Sequence, residues 1–171
     1  MKTQKAPLVG HRPFCRVALI ASLFFIALAT TASAQFSVSY TATQFNLFGQ
    51  AHFERNPLCP DGYMIDQIGF GPKNYCTVNV TVPTSGTYII SLQMETEYPR
   101  NLYIWLGSEK GPQATGSPYL TTGDSFKTPV EYSDVAAINL QAGVNTVVFG
   151  NPNSSGQTDR CPYISQVTFS Q

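Results

Sequence analysis

Charge is scarce in this chain. Lys, Arg, Asp and Glu make up 12% of its 171 residues and balance to a formal net charge of zero. Only two histidines and four cysteines are present. No long segment shows the 3.6-residue apolar period of an amphipathic helix, and there is no internal repeat, linker or low-complexity tract. These shortages exclude much. Nucleic acid as a partner calls for a basic patch, which is missing. No spaced Cys/His set supports a zinc site. Past residue 34 the one histidine is His52, in loop-like sequence beside Phe53 and Glu54, where an imidazole is ordinarily solvated. Glu95 and Glu97 have the spacing to share a strand face, as the paired carboxylates of glycoside hydrolysis would. They sit, however, at a strand-to-loop junction beside Tyr98, Pro99 and Arg100, where solvated charge is the ordinary explanation. The chain reads as a non-enzyme.

What is present begins with an export signal. Lys2, Lys5, Arg12 and Arg16 form a basic stretch, Val17 to Ala29 is almost wholly apolar, and Ala32-Ser33-Ala34 is a small-residue cleavage motif. Residues 1–34 therefore read as a signal peptide, cleaved near Ala34–Gln35. The apolar run is short for a membrane span, so an uncleaved anchor is the lesser alternative. The expectation is a secreted protein, extracellular or periplasmic, with no membrane attachment after cleavage. Four of the ten basic residues leave with this segment and none of the acidic ones, so the remainder stands near −4. Residues 35–171 suit one domain, long enough to bury a core.

That domain is rich in Tyr, Phe, Thr, Val, Ser and Gly. Two phrases dominate it: VNVTVPTSGTYIISL from Val78 to Leu92, and INLQAGVNTVVF from Ile138 to Phe149. Each sets alternating apolar residues around a turn built from Gly with Pro, Ser, Ala or Asn, the pattern of a half-buried antiparallel strand pair. Further strands are predicted over 36–43, near Met64–Ile68, Tyr75–Val82, Thr87–Met94, Asn101–Leu106, Val135–Leu140, Thr146–Phe149 and Ile164–Phe169, with 107–128 left irregular. About eight short strands at this spacing predict an all-β jelly-roll sandwich of two antiparallel sheets. Cys76 shares a face with Val78, Val80 and Val82 and reads as a small core residue. Cys59 and Cys161 each lie beside a proline in loop-like sequence, and in an oxidising compartment they are expected to form a disulfide. Connectivity is not fixed by sequence, so other pairings stay open.

The order of motifs resembles carbohydrate-binding modules of families 6 and 35, the galactose-binding-like sandwiches attached to bacterial glycoside hydrolases. Tyr40-Thr41-Ala42-Thr43 stands where such modules open on Tyr-Glu-Ala-Glu. Cys59-Pro60-Asp61-Gly62 leads to Ile65-Asp66-Gln67-Ile68-Gly69, and Val82-Pro83-Thr84-Ser85-Gly86-Thr87-Tyr88 follows. Leu140-Gln141-Ala142-Gly143-Val144-Asn145-Thr146-Val147 and a closing Pro162-Tyr163-Ile164-Ser165-Gln166-Val167 complete the order. The resemblance implies a non-catalytic module whose partner is a poly- or oligosaccharide.

Departures from the pattern carry their own expectations. In many relatives two Glu of the opening strand and an Asp of the closing strand hold a structural calcium. The corresponding residues here are Thr41, Thr43 and Ser165, so that site is expected to be lost and no cofactor is predicted. The resemblance places the sugar at the loop end, between two rings with an amide nearby, because ring faces pack on the C–H surface of a pyranose while polar groups read its hydroxyls. Carried over, the positions are Gln67, Phe126 and Tyr163. Tyr63 or Phe70 would supply a second ring, and Asn151, Asn153 or Asp159 would supply polar contacts. Tyr103 and Trp105 alternate with Leu102, Ile104 and Leu106, so they point off the core and offer a second aromatic face, unless a loop or sheet covers it. The other function compatible with this pattern is a structural or protein-binding sandwich that has lost its sugar cleft.

Overall fold

The computed structural model describes residues 35–154 and 160–171. The predicted signal peptide over 1–34 and Asp159 lie outside the described residues. Among the described residues, eleven strands build two antiparallel sheets, and the only helical piece is the short 3-10 turn Ala42–Gln44. The strands are β1 (Ser37–Thr41), β2 (Asn46–Leu47), β3 (His52–Arg55), β4 (Tyr63–Asp66), β5 (Cys76–Val82), β6 (Gly86–Thr96), β7 (Asn101–Leu106), β8 (Tyr119–Leu120), β9 (Ser125–Leu140), β10 (Gly143–Gly150) and β11 (Tyr163–Ser170). One sheet runs β3-β4-β11-β6-β9, with β1 also pairing β11; the other runs β2-β5-β10-β7-β8. The predicted jelly-roll sandwich is the observed architecture.

The core is what period-2 alternation dictates. Cys76, Val78, Val80 and Val82 of β5 face Tyr88, Ile90, Leu92 and Met94 of β6 across the sandwich, joined by Leu102, Ile104, Ile138, Leu140, Val147, Phe149, Ile164, Val167 and Phe169. Pairing departs from expectation in one respect. Neither dominant phrase is a strand pair: β5 and β6 lie in different sheets, as do β9 and β10. Each turn is a corner between sheets. The phrases pair with each other instead, β5 with β10 and β6 with β9, so Gly86 faces Leu140 and Gly143 faces Val82. The two corners are tied side by side, Ser85 Oγ accepting from the Ala142 N–H at 2.9 Å. Tyr88 donates its hydroxyl to the Thr84 carbonyl at 2.8 Å, pinning the first corner to the core.

Strands missed in the sequence lie at sheet edges. β3 is exposed along its whole length, so no burial alternation marks it. The first ten residues of β9 lie at the opposite edge of that sheet, where Pro129 is tolerated because no neighbour needs its missing N–H. A register shift opposite Ile90–Leu92, with Asp134 at φ 55°, separates that polar half from the apolar half Val135–Leu140.

Candidate functional site

At the end of the sandwich opposite the two corners, β6 and β11 bring Glu95 and Tyr163 side by side. Tyr163 stacks on Phe126, at the start of β9, with ring centroids 5.3 Å apart and 28° between planes. The Arg100 guanidinium lies 5.0 Å from the Phe126 centroid and 5.6 Å from that of Tyr163. The three groups form a nearly equilateral triangle. Arg100 is held there by donating Nη1–H to the Cys161 carbonyl at 3.1 Å. Burial lowers the guanidinium's pKa, against the opposing pull of Tyr163, and the group stays charged because arginine is not deprotonated in proteins. Burial likewise raises the Tyr163 phenol, helped by Asp66. Tyr98, largely exposed, meets Phe126 edge-on at 6.1 Å.

Asp66 supplies the acidic side of this end. Its carboxylate lies 3.8 Å from His52 Nε2 and 4.0 Å from Arg160 Nη1, and Arg160 in turn lies over the Phe70 ring at 4.8 Å. His52 is therefore exposed yet placed beside an acid rather than simply solvated.

The expected sugar contacts divide. Phe126 and Tyr163 come together. Gln67 lies one residue beyond Asp66 in a left-handed conformation, φ 59°, with its N–H donated to the Asp66 side chain. Tyr63 alternates onto the face of Ile65, away from Asp66, and is not part of the ring pair. Asn151 is 4% exposed, and its Oδ1 accepts from the Asn153 N–H at 3.1 Å, so it shapes the turn from within. Asn153 donates Nδ2–H to the Tyr103 hydroxyl at 3.1 Å. Tyr103 and Trp105 do point off the core, stacked 5.7 Å apart at 9°, but Trp105 is covered. Sequence reasoning missed Arg100, Asp66 and Arg160. The one available signal was an arginine two residues past Tyr98, inside a segment set aside as solvated charge.

Glu95 is no half of a carboxylate pair. It is 1% exposed, whereas Glu97 lies past the end of β6 and is exposed. Its Oε1 accepts from Asn56 Nδ2 at 2.6 Å and from the Cys59 thiol at 3.7 Å, while Oε2 has no partner. Desolvation raises its pKa above the ordinary 4.5, only partly countered by those two donors. Asn56 also donates to the Lys127 carbonyl at 3.2 Å, so this acid fastens the 56–62 loop to the sheet.

The structure joins no pair among the described cysteines: Cys59, Cys76 and Cys161 are free thiols in it, and all three are buried. Cys59 and Cys161, expected as a pair, face different neighbours. Cys59 turns toward Glu95, and burial followed by that carboxylate pushes it up to about 11. Cys161 Sγ packs against Gly69, where an added Cβ would come within 2.7 Å of it. Burial also raises Cys76 and Cys161 well above the ordinary thiol range.

Thr41, Thr43 and Ser165, the positions expected to correspond to a calcium site, do not fit that ion. Thr41 accepts no such role: its N–H goes to Gln44 Oε1 at 2.8 Å. Thr43 gives both its N–H and its hydroxyl to Asp61 Oδ2, at 2.9 and 2.8 Å, and Ser165 Oγ donates to the Gln93 carbonyl at 3.0 Å. Calcium takes about six to eight oxygen ligands, carboxylates among them. Among the described residues no group of three or more His, Cys, Asp or Glu is placed to hold a metal. Asp61 also accepts from the Tyr63 N–H at 3.0 Å. Desolvation works against that charge, but the donors win and lower its pKa below the ordinary 3.8.

Comparison with known proteins places this geometry in a fold. No protein-family model matches the chain, and no curated protein is similar to it in sequence. Solved structures are similar in shape. A family 35 carbohydrate-binding module from Clostridium thermocellum superposes with a TM-score of 0.68 at 24% identity, covering 78% of this chain and 98% of that one. A family 35 module from Paenibacillus barcinonensis gives 0.64 at 21%, covering 78% and 98%. An exo-β-1,3-galactanase from Phanerochaete chrysosporium, solved with β-1,3-galactotriose, gives 0.58 at 21%, this chain spanning 29% of its length. The chain thus has the β-sandwich fold of family 35 carbohydrate-binding modules.

Proposed function

We propose that this chain is a secreted, non-catalytic carbohydrate-binding module that takes its glycan on the outer faces of the Phe126–Tyr163 pair. The carrying observation is the triangle of Phe126, Tyr163 and Arg100. A sugar sandwiched between two rings needs two van der Waals layers, about 7–8 Å between ring planes. Centroids 5.3 Å apart leave no such gap, so the sugar stacks on a platform rather than entering a clamp. Arg100 and Asp66 stand beside it as donor and acceptor for hydroxyls. Support for secretion comes from the basic, apolar and Ala32-Ser33-Ala34 stretches of residues 1–34.

The closed ring pair is also what a protein-binding sandwich without sugar affinity would have, and one experiment separates the readings. The mature protein is run through gels containing β-1,3-galactan, galactomannan, xylan or dextran. Retardation by at least one polymer is expected, with an affinity loss of about tenfold, roughly 1.4 kcal/mol, in Phe126→Ala. Wild-type protein unretarded by every polymer would favour the protein-binding reading, and unchanged retardation of Phe126→Ala would remove the platform.

A further inference from the structure

We propose that the free edge of β3 pairs with the same edge of a second copy of this chain, giving a two-fold dimer centred on Phe53. β3 ends its sheet, with β4 on one side and no strand on the other. His52, Phe53, Glu54 and Arg55 are all exposed. Of the seven large hydrophobics left exposed among the described residues, Phe53, Leu58 and Tyr63 lie in β3, β4 and the loop between them, so apolar surface gathers on this hairpin. Phe53 opposes Ile65 and Arg55 opposes Tyr63, which puts Phe53 and Tyr63 on one face.

The backbone shows which groups are on offer. The Asn56 N–H bonds the Gly62 carbonyl at 2.9 Å, in the same register that sets His52 opposite Asp66 and Glu54 opposite Met64. Along an antiparallel strand, residues bonded to the neighbour alternate with residues whose polar groups face away. His52, Glu54 and Asn56 therefore bond toward β4, and Phe53 and Arg55 aim their N–H and C=O groups outward. The ladder stops at Ala51, whose N–H is taken by the Phe48 carbonyl at 3.3 Å. An unpaired edge of this kind is a template for another strand. The other edge of the sheet is guarded, because the first half of β9 carries Lys127, Pro129 and register shifts. β3 has neither proline nor shift.

The charges on β3 choose the partner and the register. Two copies running antiparallel need a two-fold axis at a residue, because an axis between residues would oppose side chains from different faces. An axis at His52, Glu54 or Arg55 would set imidazole on imidazole, carboxylate on carboxylate or guanidinium on guanidinium. An axis at Phe53 sets ring on ring, and His52 of each chain against Glu54 of the other. Arg55 then faces Ala51, so no like charges stand opposite. Phe53 exchanges its N–H and C=O bonds with its copy, and each Arg55 N–H meets the other chain's Ala51 carbonyl. Across the joined sheet one row reads Asp66, His52, Glu54, an imidazole between two carboxylates, and His52 already lies 3.8 Å from Asp66. The strand is short, so the dimer is a reversible one.

The test is independent of the glycan reading, since Phe126 and Tyr163 take no part in it. Sedimentation of the full mature protein over a concentration series should show the mass rising reversibly from one chain to two. Phe53→Asp and Glu54→Lys change exposed side chains and should leave the monomer folded, with an unchanged far-UV spectrum. Each should weaken dimerisation about tenfold, since a cross-strand pair present on both sides of the axis is lost. Cross-linking reads the register. With oxidised glutathione as disulfide donor, which takes up the two electrons and two protons of the new bond, a mixture of His52→Cys and Glu54→Cys should give a disulfide-linked dimer. Neither variant alone should link to itself, because neither position meets its own copy. A protein that stays monomeric at every concentration overturns the proposal. A dimer unaffected by both Phe53→Asp and Glu54→Lys, or His52→Cys linking to itself in preference to Glu54→Cys, overturns it as well.

Discussion

The two ends of this sandwich are built from the same strands and differ in almost everything else. At the corner end, β5 turns into β6 and β9 into β10 through two or three residues, and Tyr88 and Ser85 lock those turns with short hydrogen bonds. At the loop end, β6 finishes and β11 begins beside Asp66 at the end of β4, Arg100 just before β7 and Phe126 at the start of β9. The corner end holds few unsatisfied groups. The loop end collects a buried acid with an unpartnered oxygen, a lowered arginine and a raised tyrosine. Such strain is retained where a surface is kept for binding rather than for stability alone.

Breaking the corner end should have the largest effect. Tyr88 is fully buried, and Tyr88→Ala is expected to cost about 3–5 kcal/mol, read as a lowered denaturation midpoint. Next comes the base of the loop end. Gly69 sits at φ +70°, where a Cβ would lie 2.7 Å from Cys161 Sγ and 2.9 Å from Asn151 Cβ. Gly69→Ala should cost about 2–4 kcal/mol. It should also weaken glycan retardation, because the Cys161 carbonyl holds Arg100, an effect Tyr88→Ala should lack under conditions where that variant is folded.

The smallest effect should be the most specific. A raised Glu95 pKa gives stability that is full below the ordinary 4.5 and lost as pH rises through the raised value. Glu95→Gln keeps an acceptor for Asn56 and removes the charge. It should therefore raise Tm at pH 8 by about 2–4 °C, what roughly 1 kcal/mol is worth in a domain of this size, and leave it unchanged at pH 4. An equal shift at both pH values would mean that the carboxyl is not the titrating group. The corner end has no buried acid, so substitutions there should not change the pH profile.

The core was legible because alternation is local. Once Cys76-x-Val78-x-Val80-x-Val82 is a strand, its buried face follows from the period of two. Edge strands carried no such mark: β3 is exposed throughout, and Ser125–Asp134 mixes polar residues with Pro129. Of the expected sugar contacts, Phe126 and Tyr163 lay in positions a motif order can place. Asn151 looked like a surface amide and is buried, because nothing in Gly-Asn-Pro-Asn announces which way a turn folds back.

The sequence alone determined an all-β sandwich and its core residues. Those follow from residue type and short-range spacing. Only the tertiary structure decided that the two dominant phrases pair with each other, one strand of each in either sheet, that Cys59 and Cys161 face different neighbours, and that Arg100 joins Phe126 and Tyr163. Each of these depends on which sheet a corner leads into and where a bulge resets the register. Such contacts are made between residues far apart in the chain, and no local pattern carries them.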